Sequence, residues 1–170
     1  LEGETIAERL CKGALPIEQA LRFGIQIAGA LEAAHGRGIT HRDLKPANVL
    51  VDESDQVHIT DFGLAKQLSP SQFSSRNPSL TLTGQALGSP HYMAPEQADP
   101  QNRTIGVGAD IYSIGAVLYH LLAGRPPFAA GSVAETLHQV LQNEPARLRV
   151  LDPSLPRDIE TICLKCLEKD

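Results

Sequence analysis

The stretch from His41 to Val51 reads HRDLKPANVLV, and it constrains the molecule more than any other part of the sequence. It sets a carboxylate at Asp43, an ammonium at Lys45 and an amide at Asn48, at fixed spacing along the chain. The apolar residues that follow continue the stretch into a segment that can anchor these polar groups to a core. Three chemically different polar groups held in this way indicate a reactive site.

Two further short motifs follow this stretch. Asp61-Phe62-Gly63 comes soon after it, and Ala94-Pro95-Glu96 lies further along the chain. In this order, the three motifs resemble the catalytic loop, the metal-binding triplet and the end of the activation segment of the eukaryotic-type (Hanks-type) serine/threonine protein kinases. The continuation into Gln97 resembles the bacterial branch of that family. The resemblance implies that residues 1–170 are part of a protein kinase domain with an activation segment at 61–96.

The sequence before the first motif limits how much of such a domain we expect. With 170 residues, 42% of them hydrophobic, the chain can build one globular unit with a core. Residues 1–40 contain no glycine-rich phosphate loop, no V-A-I-K lysine and no glutamate to pair with it, although the family carries all three in its N-terminal lobe. We therefore expect a mainly α-helical fold with a small β-hairpin, equivalent to the C-terminal lobe of a protein kinase, with the N-terminal lobe absent.

Apolar periodicity predicts the helices. A long amphipathic helix is predicted from Ile17 to His35, with a buried stripe of Leu21, Ile25, Ala28 and Leu31 that Ile27 and Ala34 widen. The segment from Asp110 to Leu122, including Ile111, is apolar on nearly all sides, which is typical of a helix in the middle of a domain. Shorter helices are predicted at 4–10, at 133–142 with Val133 buried and at 156–167 with Ile162 buried, and the polar stretch 67–84 is predicted to be a mobile loop.

Two short β-branched runs predict a hairpin beside the first motif. Val49–Val51 and 57–60 flank the polar residues 52–56, which are suited to a turn. Such a hairpin would place Asn48 at the start of one strand and Asp61 at the end of the next. These two side chains are therefore expected to lie close together.

The resemblance assigns chemical roles to five residues. It implies that Asp43 is the base that accepts the proton of a substrate hydroxyl, and that Lys45 stabilises charge on the transferred phosphoryl group. It implies that Asn48 and Asp61 bind Mg²⁺. Together with Lys45, these two residues and Leu50 would form the ATP site, with Leu50 beneath the adenine ring.

Further residues are implied as supports of this site. His41 and Phe62 would pack together, and Asp110 would bind the backbone of the catalytic loop, cap the N-terminus of its own helix, or do both. Ser89 stands where the family commonly has threonine, and its hydroxyl is expected to bond the aspartate and the lysine of the catalytic loop. Glu96 is expected to lack the arginine with which the family pairs it, because that arginine would follow residue 170.

One arginine and two threonines indicate regulation. Arg42 precedes Asp43, as in kinases controlled by phosphorylation of the activation segment, where an arginine at this place binds the new phosphate. Thr81 and Thr83 are the leading acceptors, with Ser79 behind them. An ordinary flexible loop rich in serine and threonine is the alternative interpretation.

Composition excludes several other classes of protein. The net charge of −5 offers no basic surface for nucleic acid or for an anionic membrane, and no apolar run is long enough to span a bilayer. We therefore expect no membrane contact from this segment and a cytoplasmic location, with a membrane anchor elsewhere in the parent protein left open. The three cysteines do not indicate a disulfide framework, and Cys163 and Cys166 are expected to pack on a helix face without binding metal.

Taken together, the motifs imply a serine/threonine protein kinase that transfers the γ-phosphate of ATP to protein hydroxyls, here as a truncated lobe that is inactive alone. The implied partners are ATP and a protein substrate, and dimerisation for autophosphorylation is left open. One alternative is a non-catalytic kinase-like module that binds partners. The other is a small-molecule phosphotransferase, which would share the catalytic aspartate and a D-x-G element but would lack the A-P-E segment and the buried helix after it.

Overall fold

The computed structural model describes residues 3–62, 89–99 and 105–169. Within these ranges most of the regular structure is helical, and single 3₁₀ turns lie at Pro46–Asn48 and Pro90–Tyr92. The helices are α1 (Ile6–Leu10), α2 (Ile17–His35), α3 (Pro95–Ala98), α4 (Val107–Ala123), α5 (Val133–Gln142), α6 (Leu148–Leu151) and α7 (Arg157–Cys166). The prediction of a mainly helical chain is therefore confirmed. The loop predicted at 67–84 lies outside the described residues.

A small antiparallel sheet lies beside the helices, with the strands in the order β1 (Glu4–Thr5), β2 (Val49–Val51) and β3 (Val57–Ile59). The predicted hairpin is confirmed as the pairing of β2 with β3, in which Val49 lies opposite Ile59. The sequence did not predict β1, whose two residues were assigned to the first helix. Thr5 belongs to both elements, because it pairs with Leu50 and its side chain also caps α1 in a capping box with Glu8.

The hairpin turn is bound to α1 and α2 through Asp55. Its carboxylate forms ion pairs with Arg9 at 3.3 Å and with Arg22 at 2.6 Å. Gln26 of α2 donates to the Asp55 carbonyl at 3.2 Å and accepts from the Val57 amide at 2.9 Å. These contacts fix the position of β3 and therefore of the residues that follow it.

Helix α2 has the predicted ends, but its buried face was predicted only in part. The buried residues are Ala20, Phe23, Ile27 and Leu31, and full burial of a side chain such as Phe23 or Ile27 contributes about 1.5–3 kcal/mol. Ile25 is 72% exposed and Ala28 is exposed, so the predicted stripe was wrong at both. Helix α2 carries apolar residues on two overlapping stripes, and periodicity alone does not decide which one faces the core.

Helix α4 is the central element of the core, as its composition predicted. Ten of its residues are buried, among them Tyr112, Val117 and Tyr119. The left-handed Gly124, with φ of 69°, ends the helix. Helix α7 crosses α4 at Gly115, where a side-chain Cβ would lie only 2.6 Å from the Cβ of Cys166. The close approach of the two helices therefore requires glycine at this position.

Three residues of α4, α5 and α7 that were predicted to be buried are exposed. Ile111, Val133 and Ile162 are 48%, 51% and 54% exposed, respectively. Val133 is the first residue of α5, Ile111 follows the first turn of α4 on its exposed side, and Ile162 points away from the α7 face on which Cys163 is buried against the core. The core prediction for Cys163 is correct. Among the described residues no helix is long and apolar enough to cross a membrane.

Candidate active site

Segment 41–48, the catalytic-loop motif, is fixed from below by the carboxylate of Asp110 on α4. This side chain is fully buried. Its Oδ2 accepts from the His41 amide at 2.8 Å and lies 2.8 Å from Nε2 of His35, while its Oδ1 accepts from the Arg42 amide at 2.8 Å. Asp110 is not the N-cap of α4, because the helix begins at Val107 after Gly106. A buried carboxylate with three partners holds the start of the segment in one place.

His41 links the segment to the end of β3. The ring is buried, Nδ1 accepts from the Asp43 amide at 3.2 Å, and Nε2 lies 2.8 Å from the carbonyl oxygen of Thr60. Because Nδ1 accepts, the neutral tautomer with its proton on Nε2 satisfies both contacts. The ring also packs on Phe62 with a centroid separation of 4.8 Å. His41 therefore supports residues 60–62 as well as its own segment.

Two residues of the site adopt left-handed backbone conformations that glycine normally occupies. Arg42 has φ of 67° and Asp61 has φ of 60°. Each such conformation costs about 1–2 kcal/mol for a residue with a side chain. At Arg42 the surrounding bonds offset this cost, because its amide is held by Asp110 and its carbonyl accepts from the side chain of Gln97 at 2.7 Å. Hydrogen bonds therefore hold the peptide groups on both sides of Arg42, and the second of these leads into Asp43.

The three polar residues of the motif are brought together. Lys45 Nζ lies 2.8 Å from Oδ2 of Asp43, and both side chains remain partly open to solvent. Asn48 is buried, and its Nδ2 donates to the carbonyl oxygen of Asp43 at 2.9 Å. The segment therefore presents a carboxylate beside an ammonium at the surface, with the buried amide fixing the backbone beneath them.

Asn48 and Asp61 are held near one another by the hairpin. Thr60, which precedes Asp61, donates its amide to the Asn48 carbonyl at 2.9 Å. One side-chain amide oxygen and one exposed carboxylate are hard oxygen ligands, and they suit Mg²⁺, which keeps several waters and phosphate oxygens in its coordination shell. The described residues contain no group of three or more His, Cys, Asp or Glu side chains that could hold a metal by themselves. The donor set fits a metal that is shared with phosphate groups.

Leu50 lies on the face of the sheet opposite the core. Val49 and Val51 are buried, whereas Leu50 is half-buried and lies across from Thr5 on one side and His58 on the other. Cross-strand partners share a face of a sheet. Leu50 therefore offers an apolar contact on the face that carries no core packing.

The protein kinase domain family matches residues 1–170. The chain belongs to the protein kinase domain family. It is 37% identical over 171 residues to a probable serine/threonine-protein kinase of Clostridium perfringens, and 39% identical over 171 residues to the serine/threonine-protein kinase PrkC of Bacillus subtilis. Each alignment covers 100% of this chain but only 24% and 25% of the relative, so the chain spans about a quarter of the length of these relatives.

A third relative agrees with these two. A probable serine/threonine-protein kinase of Streptomyces coelicolor is 38% identical over 172 residues, across 100% of this chain and 24% of the relative. These relatives, all named as bacterial serine/threonine kinases, agree with the Hanks-type bacterial resemblance of the motifs. Protein kinases in general use ATP and Mg²⁺.

Within this kinase domain, the segment before the A-P-E motif is bound to α4. Ser113 donates to the carbonyl oxygen of Tyr92 at 2.9 Å, and the Tyr92 hydroxyl shares a 2.7 Å hydrogen bond with Nδ1 of His120. Burial raises the pKa of the Tyr92 hydroxyl to about 12, and burial lowers the pKa of His120. His91 bonds the carbonyl oxygen of Phe128 at 2.9 Å. These contacts position residues 90–93 opposite the catalytic segment.

Ser89 is exposed at the edge of a small cleft that also contains Asp43. The cleft is lined by Arg42, Asp43, Leu44, Ser89, Tyr92, Met93, Gln97 and Ser113. In the described part of the chain, the Ser89 hydroxyl forms no hydrogen bond to Asp43 or to Lys45. The bond expected for Ser89 is therefore not present in this structure, although Ser89 lies in the same cleft as Asp43.

Two contacts of the site were not predicted from the sequence. His35 bonds the buried Asp110, and Gln97 joins the Arg42 carbonyl to the Ala94 amide, which donates to its Oε1 at 3.1 Å. His35 is the last residue of α2, and its short separation from His41 is the only sequence signal for this contact. For Gln97 the sequence offered only its place after the A-P-E motif.

Glu96 and the proposed phosphorylation sites complete the predicted set. Among the described residues Glu96 forms no ion pair, and the expectation about its arginine partner stays a prediction. Burial raises the pKa of the nearby Tyr112 hydroxyl, and the Glu96 carboxylate adds to that rise. Thr81 and Thr83 lie outside the described residues.

Proposed function

We propose that this chain is the catalytic C-terminal lobe of a bacterial serine/threonine protein kinase, which transfers the γ-phosphate of ATP to serine and threonine hydroxyls of proteins. One observation carries the proposal. Asp43 and Lys45 form a solvent-accessible pair at 2.8 Å on a segment that Asp110, His41 and Asn48 hold rigid. Phosphoryl transfer depends mainly on positioning and charge stabilisation, and this arrangement supports both.

In the proposed reaction, the oxygen of a substrate hydroxyl attacks the γ-phosphorus of ATP. A new O–P bond forms, the bond from that phosphorus to the β,γ-bridging oxygen breaks, and ADP leaves with the bonding electrons. The carboxylate of Asp43 orients the hydroxyl by accepting its hydrogen bond and then takes up its proton. The ammonium of Lys45 stabilises negative charge on the transferred group.

The nucleotide would be held by the residues around the hairpin. We propose that Asn48 Oδ1 and the Asp61 carboxylate hold Mg²⁺ against the ATP phosphates, where the metal neutralises phosphate charge. Leu50 would contact the adenine ring from the open face of the sheet. The fit rests on the hard oxygen donors at Asn48 and Asp61 and on the half-buried apolar side chain at Leu50.

The proposed activity belongs to the whole protein. The glycine-rich loop and the phosphate-binding lysine that the family uses are not among these 170 residues, so we expect the lobe alone to transfer phosphate poorly or not at all. The whole protein would take ATP and a protein as substrates and would act in the cytoplasm, where ATP is available. The net charge of −5 supports no role for nucleic acid.

Substitution of the base tests this function. Full-length wild type, Asp43→Asn and the control Asp158→Asn, which alters an exposed carboxylate on α7, would be incubated with ATP, Mg²⁺ and a generic basic protein. We expect Asp43→Asn to lose about 10²–10⁴-fold in transfer rate because general-base catalysis contributes that much. Asp158→Asn should match wild type. Equal activity of Asp43→Asn and wild type would refute the role of Asp43.

The same assay separates the alternatives. A wild-type protein that binds ATP or a partner protein but transfers no phosphate would support a non-catalytic kinase-like module. Transfer to small hydroxyl compounds, with none to proteins, would support a small-molecule phosphotransferase.

We further propose that phosphorylation of Thr81 or Thr83 regulates the enzyme through Arg42. Arg42 is exposed next to Asp43, and its Nε donates to Thr40 Oγ1 at 2.9 Å, which holds the guanidinium beside the catalytic segment. Phosphopeptide mass spectrometry of the active full-length protein should find phosphate at one of these threonines, and unmodified threonines in an active enzyme would contradict the proposal.

Dimerisation for autophosphorylation requires that one copy of the protein phosphorylates another. Mixing wild type with a size-tagged Asp43→Asn protein would show whether this transfer between copies occurs.

A further inference from the structure

The side chain of Gln97 joins the two segments that line the cleft in front of Asp43. Its Nε2 donates to the carbonyl oxygen of Arg42 at 2.7 Å, and its Oε1 accepts from the amide of Ala94 at 3.1 Å. In the described part of the chain, the bond to Arg42 is the only hydrogen bond between segment 41–48 and residues 89–99. One amide group therefore connects the backbone of the catalytic segment to the backbone of the A-P-E motif.

The bond to Arg42 acts on the peptide group that leads into Asp43. The carbonyl oxygen of this peptide is held by Gln97 at 2.7 Å, and its N–H, which belongs to Asp43, donates to Nδ1 of His41 at 3.2 Å. Arg42 itself has the left-handed φ of 67° that an unsupported residue with a side chain rarely adopts. Without Gln97 the peptide would be held only by the longer of its two bonds, and the orientation of Asp43 would be less well defined.

The bond to Ala94 fixes the other side of the cleft. Ala94 is fully buried and immediately precedes α3, in which Gln97 is the third residue. Its amide is one of the donors that the start of a helix leaves without a partner inside the helix, and the side chain of Gln97 satisfies it. Residues 90–93, which come just before, line the cleft through Tyr92 and Met93.

We propose that Gln97 is a positioning residue that couples the substrate-facing segment to the catalytic aspartate. This role rests on the proposed kinase function, in which Asp43 accepts the proton of the substrate hydroxyl. Gln97 touches neither the hydroxyl nor the nucleotide in that mechanism. It holds the peptide before Asp43 and the backbone of the A-P-E motif in one arrangement, so that the base faces the hydroxyl correctly.

The substitution Gln97→Glu separates the two bonds of this side chain. Glutamate has nearly the same shape and can still accept from the Ala94 amide, as glutamate does in a capping box. A carboxylate has no N–H to donate, so the bond to the Arg42 carbonyl is lost and two oxygens face each other. The matched control is Gln142→Glu, which makes the same change at an exposed residue at the end of α5.

Hydrogen exchange of the full-length protein tests the link independently of activity. In Gln97→Glu we expect amide exchange of peptides covering residues 41–44 to be about tenfold faster than in wild type, with residues 17–35 unchanged, because only the bond to segment 41–48 is lost. Gln142→Glu should leave both regions unchanged. Unchanged exchange at 41–44 in Gln97→Glu would overturn the proposal, whether or not the wild type is an active kinase.

Steady-state kinetics test the consequence for catalysis. We expect Gln97→Glu to lower kcat about tenfold or more and to leave the KM for ATP within twofold, because misplacement of a catalytic group reduces the rate without altering nucleotide contacts. A merely structural role would lower the melting temperature and weaken ATP binding together. One outcome would contradict the positioning role and leave the kinase function standing. In that outcome wild type is active, Asp43→Asn is inactive, and Gln97→Glu retains the wild-type kcat. If wild type itself transfers no phosphate, the kinase function fails, and hydrogen exchange alone decides whether Gln97 links the segments.

Discussion

Helix α4 holds two neighbouring parts of the molecule in opposite ways. Toward segment 41–48 it presents the buried carboxylate of Asp110, which forms hydrogen bonds of 2.8 Å with the His41 and Arg42 amides. Toward α7 it presents Gly115, a position where any side chain would meet the Cβ of Cys166. The first contact depends on directed polar bonds, and the second depends on the absence of a side chain.

The two kinds of contact have different effects: the polar bonds fix the geometry of the site, and the packing contributes to the stability of the fold. Hydrogen bonds fix angle as well as distance, so they can hold a strained residue such as Arg42 in one conformation. Apolar packing has little directional preference, and its loss lowers the stability of the whole domain. We therefore expect changes in the partly buried polar contacts of segment 41–48, such as the bond from Gln97 to Arg42, to affect catalysis first, and changes at the helix crossing to affect stability first.

The largest effect is expected at Asp110, because this side chain is fully buried and the loss of its polar contacts affects the stability of the fold as well as the site. The substitution Asp110→Ala leaves the His41 and Arg42 amides without their acceptor, and each buried donor that is left without a partner costs about 1–3 kcal/mol. Urea unfolding of the protein would measure this loss. The exposed control Asp158→Ala should change stability by less than about 0.5 kcal/mol. Similar values for the two variants would contradict a scaffolding role for Asp110.

A smaller loss is expected at the helix crossing. In Gly115→Ala the new Cβ would lie 2.6 Å from the Cβ of Cys166, and overpacking of this kind costs about 1–3 kcal/mol. The matched control is Gly29→Ala in α2, where no atom of the described residues beyond the local helix backbone and the two neighbouring residues lies within 4 Å of an added Cβ. That variant should be more stable by about 0.5–1 kcal/mol, because alanine favours a helix interior. Equal effects of the two substitutions in unfolding experiments would show that the crossing is not tight.

The smallest effect is expected from pH, at the contact between His120 and Tyr92. Burial lowers the pKa of His120 in the folded protein, with neighbouring His91 contributing in the same direction. The folded state therefore favours neutral His120. The stability that this gives is present above the unfolded pKa of about 6.5 and is lost as the pH falls through the lower folded pKa.

Unfolding curves between pH 7.5 and pH 5 would test this prediction. Wild type should lose more stability on acidification than His120→Asn, whose side chain cannot be protonated in this range. The exposed His138 on α5 provides the control His138→Asn, which should follow wild type. Parallel curves for wild type and His120→Asn would contradict the effect of burial on His120.

Much of this arrangement could be predicted from the sequence because it depends on local patterns. The period of the apolar residues predicted the ends of α2 and α5, and the β-branched runs around a polar turn predicted the pairing of β2 with β3. The dense motif HRDLKPANVLV indicated the candidate site residues, whose chemical roles stay predictions. Each of these signals lies within one stretch of sequence.

The remainder depends on packing between distant segments. The two-residue strand β1 is too short to show a period, and the choice of Ile27 over Ile25 as a core residue was made by the neighbours of α2. The contact of Gln97 with Arg42 joins residues 55 positions apart. An ordinary polar residue such as Gln97 carries no local signal for such a contact, and only the folded structure reveals it.

The most direct test measures activity and stability in the same pair of variants, Gln97→Glu and Gly115→Ala. We predict that Gln97→Glu lowers the kcat of the full-length kinase about tenfold, whereas the loss of one hydrogen bond lowers its unfolding free energy by only about 0.5–1.5 kcal/mol. We predict the reverse for Gly115→Ala, which should lose about 1–3 kcal/mol of stability and keep the wild-type kcat per folded molecule. If both variants lower kcat and stability in the same proportion, site geometry and packing are not separate functions of α4 and its neighbours.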